Sequence, residues 1–372
     1  MTDVAGVAVG HATDLALGSG VTAIVFDRPA TAAVCVLGGA PGGRDTGLLA
    51  PEMTVQAVDA IVLSGGSAFG LDAAGGVQAA LREMGRGYAV RDALVPIVPQ
   101  AIIFDLLNGG NKDWGRFSPY RELGYAAARA AAQAAVVRVA GGQAASGDDF
   151  ALGEDFALGS IGGGTGATTA TVKGGLGSAS ARTEAGHTVG AIAIVNAVGS
   201  PLIGGGPWFW AAPYERDAEF GGLGWPARID TMLRLKGGPG SDAAGVTATG
   251  VTAIGATATG AGATSTTIGL VATDASLTKA QAHRLAIMAH DGLARAVLPA
   301  HAPLDGDTIF AAATGYRPLG EVIPELTALG FAATLVMARA IARGVHAASA
   351  LPVPGGQPSW RDRFGVTPAG NG

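Results

Sequence analysis

The sequence predicts a compact α/β protein, and three observations support this fold class. Hydrophobic residues make up 48% of the 372 residues and charged residues only 14%, against roughly 25% in an average globular protein. Short apolar runs rich in β-branched residues alternate with longer runs of helical periodicity. The 61 glycines lie between these runs and show no G-X-Y period, so they are interpreted as residues of tight turns. The low charge predicts a large core or a surface hidden in an oligomer.

The first third of the chain is predicted to hold several strands and one helix. Residues 21–26 and 32–37 are apolar and read as adjacent strands separated by a turn at Pro29. Cys35, the only cysteine, lies in the second run and is expected in the core, so no intrachain disulfide can form. A further strand at 60–63 runs into a glycine-rich turn, after which a helical pattern extends from Leu71 to Met84.

The middle of the chain continues this alternation. Residues 95–98 and 101–105 are strand-like, and an Ala-rich helix is predicted over 124–137. A tandem hexapeptide duplication at 148–159 predicts a solvated acidic surface loop. The apolar strand 189–195 then runs into an asparagine.

The last third follows a low-complexity run that carries no charge between Asp242 and Asp274. A β-branched strand begins near residue 266, and a helix over 278–297 has Thr278 as its expected N-cap. A final helix is predicted over 326–346. The Pro/Gly-rich tail after Pro352 is expected to fray.

Composition and motif searches exclude several classes of function. The net charge is −5 without a basic block, which argues against nucleic acid, and no uninterrupted apolar run of 18 residues predicts a membrane span. The N-terminus lacks the pattern of a signal peptide, so a cytoplasmic protein is expected. None of the six histidines forms a zinc-hydrolase motif. The glycines at 162–166 match neither a Walker A nor a dinucleotide pattern. We therefore expect no metal and no cofactor.

Two segments are candidates for a hydroxyl nucleophile. Gly65 and Ser67 resemble a serine-hydrolase elbow, but the last glycine of that motif comes one residue late, after Phe69. A glycine-rich turn near a pocket is the alternative for this segment. The stronger candidate is Thr266, where a small-residue segment enters a strand and the backbone can be cut without harm to the core. A Thr freed there would carry a hydroxyl nucleophile and an α-amine that serves as its base.

Four further polar residues stand where they could support such a nucleophile. Asp305 and Asp307, separated by one glycine at the start of a strand, project to one face and can hold an ammonium group, or they are a loop pair that caps a turn. The Asn196 amide at a strand end is a possible oxyanion donor, or a turn residue. Lys173, a lone cation among glycines, either faces solvent or is partly desolvated at a site.

An aromatic, glycine-rich loop from Trp208 to Trp225 is the main candidate for substrate contact. It holds three of the five tryptophans and is too irregular for a strand. Such loops line pockets or fill subunit interfaces. We favour a place where a substrate cleft and a neighbouring subunit meet.

Taken together, these motifs resemble the self-processing DmpA-like aminopeptidases, and within them the nylon-oligomer (6-aminohexanoate-oligomer) endohydrolases. The resemblance covers nearly the whole chain, and the aromatic loop is similar to the nylon-oligomer branch. One departure is Ser265, where that branch usually has Asn before the cleavage point. The residues that carry the resemblance are Ser64 to Leu71, Gly162 to Gly166 with Lys173 to Gly175, Val195 to Ala197, Thr266 to Ile268 with Ala272 to Asp274, and Asp305 to Asp307.

The resemblance implies a four-layer αββα sandwich, similar to N-terminal-nucleophile hydrolases, cut between Ser265 and Thr266 into segments 1–265 and 266–372 of one domain. It implies that Thr266 is the nucleophile, oriented by Asp305 and Asp307, with Lys173 and Asn196 stabilising charge at the reacting carbonyl. Tyr125 is implied as a substrate contact, and the assembly as a tetramer of cleaved protomers.

The expected activity is endo-type hydrolysis of 6-aminohexanoate oligomers, or of short peptide-like amides, through an acyl-Thr ester. The first alternative is an L-aminopeptidase/D-esterase that uses the same mechanism on short peptides. An alternative of another class is an uncleaved, non-catalytic structural or binding oligomer.

Overall fold

A computed structural model describes residues 1–140, 156–237 and 265–365. The strands are β1 (Val7–Asp14), β2 (Ser19–Val36), β3 (Gly43–Arg44), β4 (Ala57–Ser64), β5 (Tyr88–Val90), β6 (Ala93–Val95), β7 (Gln100–Ile102), β8 (Leu176–Arg182), β9 (Thr188–Asn196), β10 (Thr266–Ala275) and β11 (Thr308–Arg317). The helices are α1 (Ala73–Glu83), α2 (Tyr120–Ala140), α3 (Lys279–Ala296), α4 (Val322–His346) and α5 (Trp360–Phe364).

Nine strands form one hydrogen-bonded system in the order β3-β7-β4-β2-β11-β10-β9-β8, with β1 beside β2. The long strand β2 connects two halves, because its first part pairs with β1 and β4 and its last part pairs with β11. The predicted turn at Pro29 is therefore wrong. The chain continues as one strand with a register irregularity between Val25 and Ala30, and such a position tolerates a proline that cannot donate to the ladder.

The two halves of this strand system pack face to face and are covered by helices on both outer sides. One apolar cluster joins Ile24 and Ile61 of the first half to Ile192, Ile268 and Phe310 of the second. The alternate residues of β2 and β4 face α1 and α2, whereas those of β9 and β11 face α3 and α4. This arrangement is the predicted four-layer αββα sandwich.

The central position of β10 determines where a site can form. It pairs antiparallel with β9 and parallel with β11. Because neighbouring parallel strands begin at the same edge of a sheet, the residues before β11 lie beside the start of β10. Segments 1–265 and 266–372 thus build one sheet together, since β10 lies between a strand from each of them.

Helices α3 and α4 carry most of the outer core on their side. Thr278 caps α3 as predicted, through a reciprocal capping box with Gln281. Helix α4 is long and apolar enough by composition to cross a membrane, with a mean hydropathy of 1.4, but 67% of that stretch is buried in the described part of the chain. Its packing against α3, β8 and β9 accounts for its apolar composition.

Two expectations about irregular segments meet the structure only in part. The tail after Pro352 does not simply fray, because it contains α5, whose Trp360 is buried against Phe209. Of the duplicated hexapeptide, only residues 156–159 are described, and Phe156 and Leu158 pack against the central core. The acidic residues of the duplication and the low-complexity run to residue 264 lie outside the described residues.

Candidate active site

Thr266 is the first residue of β10 and is buried, with 3% of its surface exposed. It pairs with Asn196 at the end of β9, so the strand register alone brings two of the predicted site residues together. The Thr266 hydroxyl donates a hydrogen bond to the carbonyl oxygen of Ser265. Gly306 packs closely against this hydroxyl, because a Cβ at that position would lie 2.9 Å from Oγ1. A side chain at residue 306 would crowd the hydroxyl.

Ser265 is held against the segment before β11 by a short parallel bridge with Asp305. Its N–H donates to the carbonyl of Leu304 at 3.2 Å, and its own carbonyl accepts from the N–H of Gly306 at 3.0 Å. A backbone N–H aimed at a carbonyl oxygen stabilises negative charge that develops there. The Ser265–Thr266 peptide thus has both a hydroxyl and a charge-stabilising donor at its carbonyl.

Both carboxylate oxygens of Asp307 are engaged in hydrogen bonds that hold the start of β10 in place. Its Oδ1 accepts from the Thr267 N–H at 2.8 Å, and its Oδ2 accepts from the backbone N–H of His301 at 2.8 Å and lies 2.9 Å from His301 Nδ1. Asp307 therefore acts as an orienting group. His301 belongs to no zinc-binding motif. Its position four residues before Asp305 is the sequence feature that relates it to the two aspartates.

Asp305 differs from Asp307 in having an uncommitted oxygen. Its Oδ1 accepts from the Val198 N–H at 3.0 Å, whereas its buried Oδ2 has no hydrogen-bond partner in the described residues. Burial, and then the nearby charge of Asp307, raise the pKa of Asp305 to about 7. This carboxyl can gain or lose a proton near neutral pH, and it can accept a hydrogen bond from an ammonium group.

Lys236 joins Asn196 to the residue before Thr266 and was missed in the sequence. Its ammonium donates to Asn196 Oδ1 at 3.0 Å, to the Thr168 carbonyl at 3.2 Å and to Ser265 Oγ at 3.4 Å. Desolvation lowers the pKa of Lys236 to about 7 against the opposing effect of Asp305. Lys236 lies in an irregular loop without periodicity, so no sequence pattern marks it.

The Asn196 side chain is engaged on both sides. Its Oδ1 accepts from the Thr168 N–H at 3.0 Å as well as from Lys236, and its Nδ2 donates to the Phe104 carbonyl at 3.2 Å. It is a fixed group of the site and not a turn residue. In the uncut chain the backbone donor to the Ser265 carbonyl is the Gly306 N–H, so an oxyanion role for Asn196 stays a prediction.

Lys173 is buried, as the second of its two alternatives predicted. Its ammonium donates to the carbonyls of Gly174 at 2.8 Å and Gly164 at 3.2 Å. Desolvation lowers the pKa of Lys173 to about 7, opposed by the charge of Asp105. A bridge to Thr168 connects it to the turn that also holds Asn196. Lys173 is thus connected to Lys236 through Thr168, whose carbonyl accepts from Lys236.

Two other candidates lie apart from this group in the described part of the chain. Tyr125 is on α2, and its hydroxyl donates to Glu83 at 2.7 Å near the α1–α2 surface. Its role in substrate binding stays a prediction. Ser67 begins a 3-10 turn with a φ of 51°, and among the described residues its hydroxyl contacts no histidine or carboxylate that would serve as a base.

A cavity of about 180 Å³ is lined in part by residues 230–234, the segment that leads to Lys236. Trp210 of the aromatic loop lines it with Leu202, Met232 and Asp230. The indole N–H of Trp210 is buried and has no partner in the described residues. Ser200, also in the wall, is two residues from Val198, whose N–H holds Asp305. The predicted pocket role of the aromatic loop is consistent with this placement.

Comparison with known protein families identifies the family of this chain. Residues 1–358 match the model of peptidase family S58. The chain belongs to peptidase family S58. It is therefore a hydrolase of peptide or amide bonds, and the predicted resemblance to the DmpA-like aminopeptidases is confirmed at the level of the family.

Curated relatives of this S58 peptidase span nearly its full length. It is 40% identical over 382 aligned residues to an uncharacterized aminopeptidase of Mycobacterium bovis, covering 98% of this chain and 97% of that protein. It is 39% identical over 323 residues to an uncharacterized aminopeptidase of Mycobacterium leprae, covering 85% and 78%. These relatives favour the aminopeptidase alternative, and the closer resemblance to nylon-oligomer hydrolases stays a prediction.

Solved structures share the fold. A β-aminopeptidase of Burkholderia sp. superposes with a TM-score of 0.59 at 23% identity, over 97% of this chain and 90% of that one. An L-aminopeptidase D-Ala-esterase/amidase of Ochrobactrum anthropi gives 0.60 at 21% identity, over 97% and 90%. The latter is described as a variant of the N-terminal-nucleophile hydrolase fold, and this chain has the same fold.

Proposed function

We propose that this S58 peptidase is an aminopeptidase that activates itself by cutting its own chain between Ser265 and Thr266. The observation that carries the proposal is the contact of the Thr266 hydroxyl with the Ser265 carbonyl, which also accepts a hydrogen bond from Gly306 N–H at 3.0 Å. A nucleophile and an oxyanion donor therefore meet at one peptide bond. The family assignment supports hydrolysis of such bonds.

Self-cleavage would proceed through an ester. The Thr266 oxygen bonds to the Ser265 carbonyl carbon, the bond from that carbon to the Thr266 nitrogen breaks, and the hydroxyl proton is transferred to this nitrogen. Water then adds to the ester, releases Ser265 as a carboxylate and returns a proton to the Thr266 oxygen. The products are fragments 1–265 and 266–372, with a free amine on Thr266 that serves as a base in later turnovers.

The two aspartates would have separate duties in the mature enzyme. Asp307 keeps the start of β10 and His301 in place through its three hydrogen bonds. The uncommitted oxygen of Asp305 is available to accept from the new ammonium of Thr266. Lys173 and Asn196 belong to the surrounding shell and would favour negative charge at the reacting carbonyl, together with Lys236.

The aminopeptidase specificity is supported by the surroundings of the Ser265 backbone. Its N–H donates to the Leu304 carbonyl at 3.2 Å, and its backbone is bridged to that of Asp305, whose side chain is buried. The amine of a peptide substrate at the same place would have a carbonyl and a carboxylate beside it. The curated relatives are named aminopeptidases, which supports the same specificity. Endo-type cleavage of 6-aminohexanoate oligomers is the competing specificity.

A substrate panel on the processed protein tests the proposal. Aminoacyl p-nitroanilides with a free amine should be hydrolysed, their N-acetylated counterparts should not, and T266A should cleave neither. Linear 6-aminohexanoate oligomers should lose single units from the amine end. Cleavage of N-blocked anilides, or of internal bonds in long oligomers, would instead support the endohydrolase.

Assembly of cleaved protomers into a tetramer is part of the same proposal. Large apolar side chains are exposed on the protomer, including Ile323 and Phe331 of α4 and Tyr88 and Val90 of β5. An oligomer would bury such side chains, and larger exposed apolar patches mark interaction sites in soluble proteins. Light scattering on the processed protein should give the mass of four protomers, and a monomer would contradict this part.

A further inference from the structure

Lys236 is a group of the site whose partners include the side chain of Ser265, the residue that leaves in the proposed self-cleavage. Its three ammonium hydrogens are directed at the Thr168 carbonyl, the Asn196 amide oxygen and the Ser265 hydroxyl, at 3.2, 3.0 and 3.4 Å. An ammonium has three donors and no acceptor, so these contacts use it fully. The first two partners belong to the folded scaffold and stay in place after cleavage.

The place of Ser265 is also the place of a substrate residue. In self-cleavage Ser265 supplies the acyl group that is bound to the Thr266 oxygen. In turnover the substrate's N-terminal residue supplies the acyl group bound to that same oxygen, next to the same Gly306 N–H. Ser265 must withdraw before a substrate carbonyl can reach Thr266. Lys236 then has one N–H without its acceptor, at the position where the acyl residue's side chain arrives.

We propose that Lys236 is a specificity-determining residue, whose ammonium binds a hydrogen-bond-accepting or acidic side chain on the N-terminal residue of the substrate. The inference rests on the proposed aminopeptidase function and names its substrate class. Serine, aspartate or asparagine at the substrate N-terminus places an oxygen at the third N–H of Lys236. Alanine leaves that N–H unsatisfied in a partly desolvated site, and lysine brings a second positive charge beside it.

The surroundings of Lys236 explain why the contact discriminates. The Asn196 amide oxygen lies 3.0 Å from its ammonium, the positive charge of Lys173 interacts with it, and Asp305 is the carboxyl whose charge acts on it most strongly. In their ammonium forms Lys236 and Lys173 are donors only, so neither then accepts from a substrate hydroxyl or ammonium. The acyl side chain therefore meets a donor-rich wall. Removing the neutral partner of a hydrogen bond to a charged group changes the rate by about tenfold or more.

The first experiment measures coupling between Lys236 and Ser265 during self-cleavage. Four proteins are compared by intact mass over time: the parent, S265A, K236M and the double variant. We expect S265A to slow cleavage about tenfold in the parent background and to have little effect in the K236M background. Equal slowing by S265A in both backgrounds would overturn the inference.

The second experiment needs no variant at Lys236. The processed parent enzyme is assayed on anilides that differ only in the N-terminal residue: serine, aspartate, alanine and lysine. We expect kcat/KM for serine and aspartate to exceed that for alanine about tenfold, and lysine to be the poorest. A preference for alanine or lysine would overturn the inference. This measurement also decides the matter if K236M does not fold or does not process.

Lys279 supplies a matched control. It is a second buried lysine, and its ammonium donates to three backbone carbonyls of residues 48–55, away from Thr266. K279M should alter stability without changing the order of preference among the four anilides. Failure of the inference and of the proposed function are distinguishable. If the cut enzyme hydrolyses no anilide, the proposed function fails, whereas hydrolysis without preference removes only the role of Lys236.

Discussion

Two regions of the molecule hold a lysine ammonium among oxygen atoms, and they differ in what those oxygens belong to. Lys279 donates to the carbonyls of Leu48, Met53 and Val55 at 3.0 to 3.1 Å, and so connects α3 to the loop before β4. Lys236 donates to one carbonyl, one side-chain amide and the hydroxyl of Ser265. In the first region all three partners of the ammonium are backbone carbonyls that stay in place. The second contains a partner proposed to leave, and this difference separates a scaffold contact from a functional one.

The largest effect is expected for T266A, which removes the nucleophile of the Lys236 region. The full-length chain should persist, and turnover should fall by about 10⁴-fold or more, as for removal of other nucleophiles. The fold should persist, since the buried side chain loses only its hydroxyl and one methyl group, and loss of the methyl costs about 1 kcal/mol of unfolding free energy. Intact mass and anilide assays check this. Normal processing of T266A would end the proposal for Thr266.

D305N should separate function from stability in the same region. Removing the uncommitted carboxylate should lower turnover about 10²-fold or more. The pKa of Asp305 is raised to about 7 by burial and Asp307, whereas an unfolded Asp titrates near 3.9. Between about pH 4 and pH 7 the folded state thus keeps a proton that the unfolded state has lost, so this group's contribution to stability declines as pH rises.

The free energy of unfolding of D305N should therefore increase relative to that of the parent as the pH rises from 4 to 7. Above pH 7 the difference between the two proteins should stay constant. Denaturant unfolding at pH 5 and pH 8 measures it. D307N serves as the comparison, because its carboxyl accepts from three N–H donors and its loss should destabilise the protein. A pH-independent difference between D305N and the parent would contradict the raised pKa.

K279M tests the scaffold region with the opposite expectation. Three backbone carbonyls lose their donor, which should cost about 1–3 kcal/mol of unfolding free energy per the usual penalty for unsatisfied buried groups. Processing and kcat/KM should stay near the parent values once the protein is folded. Urea titration measures the loss of unfolding free energy, and the anilide assay measures kcat/KM. A large loss of selectivity in K279M would erase the distinction between the two lysine regions.

The smallest effect is expected at the aromatic loop. W210A enlarges the cavity that Trp210 lines and should raise KM for substrates with bulky leaving groups about five- to tenfold, or roughly 1–1.4 kcal/mol. W114A is the control, because Trp114 packs near Tyr120 on the α1–α2 side. It should lower the melting temperature without a change in KM. Equal KM in W210A and the parent would remove the loop from the substrate site.

The sequence was informative wherever local periodicity or a strand end carried the signal. The apolar run 189–195 and the β-branched start near residue 266 predict β9 and β10, whose residues pack on both faces, and the Asp305–Asp307 spacing predicts carboxyls at one strand start. Pro29 misled because a proline inside a long strand is tolerated at a register shift that only the pairing partner reveals. A proline-rich tail gave no sign that Trp360 is buried against Phe209.

Within the site, the residues that sequence reasoning missed are those that only tertiary structure brings in. Lys236 reaches Ser265 from an irregular loop 29 residues earlier. Gly306 acts through its backbone N–H, which no side-chain pattern records. His301 supports Asp307 from a loop whose residues show no regular spacing. Tyr125 came only from family resemblance, and its contact with Glu83 shows that a carried-over position needs its own geometric check.

The most direct test of the central claim is the mass of the purified, unmodified chain together with the N-terminal sequence of its smaller fragment. Self-activation at Thr266 predicts two polypeptides, residues 1–265 and 266–372, with the smaller one beginning Thr-Thr-Ile. A single uncut chain that nevertheless hydrolyses aminoacyl anilides would contradict the account, as would a fragment that begins at Ser265 or Thr267.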